Sequence, residues 1–85
     1  MTAEEIRQIL LSGFPDAAIT VSGEDSNFSV DIVSPEFENV SRLNRQRNVL
    51  SCVKDLITAG EIHAFSVQAF TREEWDQTSN TLTIL

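Results

Sequence analysis

Eighty-five residues fit one domain, because a chain of this size buries only roughly 60–65% of its unfolded surface and supports a single core. With 41% hydrophobic residues, three glycines and two prolines, it is composed as a folded domain rather than a disordered tail. The net charge of −7 repels phosphate backbones on average, the single cysteine excludes an internal disulfide or a paired-cysteine zinc site, and no apolar run approaches the ~18 residues of a membrane span.

The opening MTAEEIRQ carries glutamates where a secretory leader carries basic residues, so a cytoplasmic protein is expected. Thr2 and Glu5 have capping-box spacing, and Ile6, Ile9 and Leu10 recur at helical intervals before Gly13-Phe14-Pro15, which predicts a helix over 3–12. From Ala17 the period changes to two. Ala17, Ile19 and Val21, then Phe28, Val30 and Ile32 beyond the GEDSN loop at 23–27, predict a hairpin with one buried face. Ser34-Pro35 offers a cap and a proline at the first helical position, hence a short helical turn. Val49, Leu50, Val53, Leu56 and Ile57 make one apolar stripe, which predicts an unbroken helix over 41–58 with Gly60 as its left-handed terminator. Residues 62–70 return to strand chemistry, and Thr71 with Glu74 forms a second capping box that opens a final turn carrying Trp75. The expected domain is 1–76, and 77–85 reads as a loose tail or an added strand edge.

A strand, helix, strand connection within one sheet makes parallel neighbours through a right-handed crossover, and parallel strands start at the same end. The second strand starts after the 23–27 loop and the third at His63, the one histidine of the chain, so loop and histidine are expected to meet. Two roles are open to His63. It shares parity with Phe65, Val67 and Ala69, so its ring can simply bond a carbonyl at the strand end; a neutral imidazole at a strand mouth is equally a common metal ligand. The loop offers Glu24, Asp25, Ser26 and Asn27, hard oxygen donors better suited to magnesium or calcium than to iron or zinc, and too few for an unaided site.

The stretches IHAFSVQAFTREEW and SRLNRQRNV resemble the BolA family, nearest its short bacterial branch, within a resemblance that covers residues 3–76. Ile62, His63, Ala64, Ser66, Phe70, Thr71, Glu74 and Trp75 carry it in the first stretch, and Arg42, Arg45 and Arg47 in the second. The resemblance implies an α+β fold of the type II KH-like kind, αββααβ, with helices packed on one face of a three-stranded mixed sheet. It implies a monothiol glutaredoxin as partner and a two-iron two-sulfur cluster shared with glutaredoxin and glutathione. His63 is then this chain's ligand. Association without a cluster, through the end containing His63 and Trp75, is the fallback, and Trp75 reads either as an anchor packing the last turn onto the core or as a partner contact. The family pattern also implies a histidine or cysteine in the hairpin loop, where this chain has Asn27. Asparagine is a poor cluster ligand, so a cluster is expected to be held weakly, or completed by Asp25 or water.

The alternative function is transcriptional regulation through DNA, with Arg42, Arg45, Arg47 and Lys54 of the long helix contacting phosphates. On an ideal helix Arg47 and Lys54 share one side while Arg42 and Arg45 project toward another. The glycine-x-x-glycine device by which K-homology domains clamp a nucleic-acid backbone has no match at Gly13, Gly23 or Gly60. Cys52 reads as a half-buried packing residue at the edge of the stripe. One histidine without a nucleophile beside it makes no catalytic set, so no enzyme is expected.

Overall fold

Thr2 Oγ1 accepts the Glu5 N–H and the Glu5 carboxylate accepts the Thr2 N–H, so α1 (Ala3–Gly13) opens on the expected capping box. Period-two residues then build β1 (Ala18–Glu24) and β2 (Asn27–Val33), antiparallel from Ala18 opposite Val33 to Glu24 opposite Asn27. Ser34 caps a 3-10 turn at Pro35–Phe37, and α2 (Arg42–Cys52), α3 (Lys54–Thr58), β3 (Ala64–Phe70) and α4 (Arg72–Ile84) follow. The structure, a computed structural model, describes the backbone of residues 1–84 and the side chains of 1–78. The fold is α+β, with a mixed sheet ordered β1-β2-β3 in which β3 runs parallel to β2.

The register aligns apolar side chains across the sheet: Ile19 with Ile32 and Ala69, Val21 with Val30 and Val67, and Phe28 with Phe65. Against that face α1 brings Ile6 and Leu10, and α2 brings Val49. Phe14 and Phe37 close the core with ring centroids 5.4 Å apart. Thr20, Ser22, Ser29, Ser66 and Gln68 point the other way and are exposed, so the sheet has one dry and one wet face.

The helix expected over 41–58 is two helices. It breaks at Val53, whose φ of −114° and ψ of 11° leave the helical region and whose N–H bonds the Leu50 carbonyl in a tighter step. The break keeps Val53 fully buried and re-aims α3, where the Leu56 carbonyl accepts the N–H groups of both Glu61 and Ile62 and turns the chain toward β3. Ile57 thereby leaves the stripe and is 40% exposed. The final turn is also longer than expected: α4 continues to Ile84, so the backbone of the supposed loose tail is helical to that point, and Leu85 lies outside the described residues. Its run of serine, asparagine and threonine, all weak helix formers, hid the helix from a propensity reading.

The loop expected over 23–27 is a two-residue turn, with Glu24 and Asn27 already paired. Asp25 and Ser26 both take positive φ, 54° and 77°, as a type I′ hairpin turn requires. Gly23 has φ 121°, and a Cβ there would run into the Asn27 carbonyl oxygen. Gly23→Ala is therefore expected to cost about 1–3 kcal/mol in urea denaturation. A loss below about 0.5 kcal/mol, ordinary for a surface change, would show that the turn tolerates a side chain.

Candidate functional site at the hairpin turn

β3 enters the sheet beside the turn. The Ser26 carbonyl accepts two amides there, His63 N–H at 2.8 Å and Ala64 N–H at 3.2 Å, and Ala64 stands opposite Asn27. Ile62, 1% exposed, anchors the preceding residue in the core. His63 is thus fixed through its backbone while remaining exposed, next to exposed Asp25 and Asn27. Loop and histidine meet as the crossover rule requires.

The donors on the turn and beside it are one imidazole, two carboxylates, one hydroxyl and one amide. Among the described residues no three histidine, cysteine, aspartate or glutamate side chains come together to hold a metal ion. Cluster iron takes thiolate or imidazole, so His63 fits as one ligand and the oxygen and amide donors of the turn do not fit as others. Cys52 serves elsewhere. Its thiol donates to the Asn48 carbonyl at 3.7 Å, a Cβ added at Gly13 would lie 2.8 Å from its sulfur, and burial pushes its pKa up, away from the thiolate.

The fold divides the four basic residues expected to meet phosphates. Arg45 is 6% exposed: its Nε donates to the Val40 carbonyl at 2.8 Å, one terminal nitrogen to the Ala69 carbonyl at 3.2 Å, and the fork grips Glu74 at 2.6 and 3.3 Å. Its guanidinium also lies 5.8 Å from the Phe37 ring centroid. Arg45 is a structural tie and is withdrawn from any phosphate surface. Arg42 lines a cleft between α2 and β3 with Gln46 and Val67 to Phe70, whereas Arg47 and Lys54 flank a separate one. The exposed cations therefore line two different clefts.

Trp75 is half-buried, packed edge-on against Phe70 with centroids 5.3 Å apart. It follows the end of β3 while His63 precedes its start. Seven residues at roughly 3.3 Å each put about 20 Å of strand between them. The two residues therefore lie beyond opposite ends of β3 rather than at one end, and Trp75 packs as an anchor on Phe70.

The family model described as BolA-like protein matches residues 13–74. A protein of the rpoN-murA intergenic region of Acinetobacter guillouiae is 38% identical over 79 residues, 93% of this chain and 95% of that one. The acid stress protein IbaG of Escherichia coli is 33% identical over 75 residues, 88% of this chain and 89% of its own. A bolA protein homologue from Coxiella burnetii has a similar structure, with TM-score 0.78 and 25% identity over 89% of this chain and 97% of that one.

The Arg45 fork, helped by the Thr71 N–H, holds the Glu74 carboxyl down from 4.5 to about 2. A carboxyl that binds its proton less readily when folded stabilises the fold above pH 4.5, and that contribution is lost as pH falls through 2. At 38% exposure the Glu74 side chain is partly screened by water, so the contribution is smaller than the shift alone suggests. Glu74→Gln should narrow the difference in urea stability between pH 7 and pH 3, and Arg45→Met should cost about 2 kcal/mol at pH 7. An unchanged difference in Glu74→Gln would show that the pair does not govern the acid limb.

Proposed function

This chain belongs to the BolA family, and on that premise we propose that it is a non-enzymatic adaptor. It binds a monothiol glutaredoxin and takes part in iron–sulfur cluster handling or iron- and stress-responsive regulation. The observation that carries this reading is the exposed His63, held by the Ser26 carbonyl beside a turn that offers no second soft donor. A ligand whose backbone is already fixed loses little freedom on binding, and a lone ligand needs a site completed by another molecule. Glutaredoxin and glutathione are the partners whose thiols complete it. A cytoplasmic setting belongs to the same proposal, because the reducing glutathione pool keeps such thiols available. The name of IbaG ties that relative to acid stress and supports a stress-responsive role here.

Such a shared cluster receives one imidazole from this chain, and Asn27 leaves the turn side without thiolate or imidazole. Co-assembly with a monothiol glutaredoxin and glutathione under anaerobic conditions, followed by absorbance and iron analysis, tests the proposal. His63→Ala should shorten cluster retention against a chelator several-fold while changing apo-complex affinity by no more than about twofold, since that affinity is spread over a wider surface. Asn27→His should prolong retention. Unchanged retention in His63→Ala with the two proteins still bound would remove His63 from the ligand set.

A further inference from the structure

Six basic residues face thirteen acidic ones in this chain. Among the described residues three of the six are engaged in ion pairs: Arg7 with Glu4, Arg45 with Glu74 and Arg72 with Asp76. Arg42, Arg47 and Lys54 enter none among the described residues, and all three belong to α2 and α3. Arg47 and Lys54 flank a cleft of about 330 Å³ lined by Leu50, Ser51, Ile57 and Thr58. Their common lining of this cleft puts them on one side of the α2–α3 pair despite the break at Val53. Ile57 is 40% exposed there, and Leu50 is half-buried. Exposed Ile57 thus lines one cleft with two cations that enter no ion pair among the described residues.

We propose that this face docks an acidic amphipathic helix of a partner protein, with apolar residues on Leu50 and Ile57 and carboxylates on Arg47 and Lys54. A helix laid in an apolar groove with flanking charges is a recurring recognition mode. Charge complementarity selects this occupant over larger polyanions. DNA or an anionic membrane presents an extended negative surface to the whole chain and meets its net charge of −7. A single helix covers only the local cations, whose field decays over about 8 Å at physiological ionic strength. Arg42 lines the other cleft. The face goes beyond the glutaredoxin reading: it lies on the helices rather than at the turn, and it gives an adaptor a second place to hold a protein.

The test uses the whole chain and a fluorescent synthetic peptide of about 18 residues, long enough to hold helix, with leucines on one face and glutamates on the other. Anisotropy should show saturable binding that weakens as salt rises. Arg47→Glu with Lys54→Glu should weaken it about tenfold or more, and Ile57→Asp should weaken it with circular dichroism unchanged. Arg42→Glu and His63→Ala should bind as the parent does, which separates this face from the cluster site. Absent peptide binding, equal binding by the Arg47 and Lys54 double variant, or tighter binding of duplex DNA or phosphatidylglycerol vesicles lost in that variant would each overturn the proposal.

Discussion

The carbonyl of Ser26 receives the amides of both His63 and Ala64, and the parallel pairing of β2 with β3 starts from that point. A parallel neighbour cannot be reached by a hairpin, so the chain must cross over the sheet between Val33 and Ala64. That crossover is the 3-10 turn with α2 and α3, and it lays Val49 and Val53 on the apolar rows of the sheet. The same bond places an exposed imidazole beside a turn that is itself fixed by two left-handed residues and by a glycine with no room for a side chain. Core and candidate site therefore rest on one strand junction.

At the other end of β3 the fold is closed by a buried charge. Arg45 reaches from α2 to the carbonyls of Val40 and Ala69 and to Glu74 on α4, so one side chain joins three parts of the chain to its own helix. Charge-assisted forked bonds of this kind fix geometry as well as adding energy. With Cys52 free there is no disulfide to do that work, and the β3–α4 corner is held instead by Arg45, the Thr71 cap and the Phe70–Trp75 contact.

Much of this was legible in the sequence wherever the signal is local. Both capping boxes, the period-two hairpin, the proline-started turn and the meeting of His63 with the turn follow from short spacings and from the parallel direction that a strand, helix, strand crossover gives its strands. The rest depends on partners far along the chain. Nothing around Arg45 distinguishes it from Arg42 or Arg47, because Glu74 lies 29 residues away. The break at Val53 was invisible because the apolar spacing continues through it while the backbone does not. His63 and Trp75, near in sequence, lie beyond opposite ends of β3 because the strand between them is extended, and the length of α4 was masked by weak helix formers.

Among the described residues the hairpin turn gathers few metal-ligating groups. His63 supplies an imidazole, Asn27 supplies an amide, and no described cluster of ligands completes a metal site. The adaptor proposed above would fit that combination, with the fixed backbone of His63 supplying geometry and a partner's cluster supplying the thiolates. Because the chain contains one histidine, growth on imidazole-nitrogen-15 histidine labels that position alone. Electron–nuclear double resonance on the reduced cluster, in the complex with glutaredoxin and glutathione, then reads the bond directly. A strongly coupled nitrogen-15 nucleus is the predicted result; an intact cluster in the bound complex without that coupling would contradict the account.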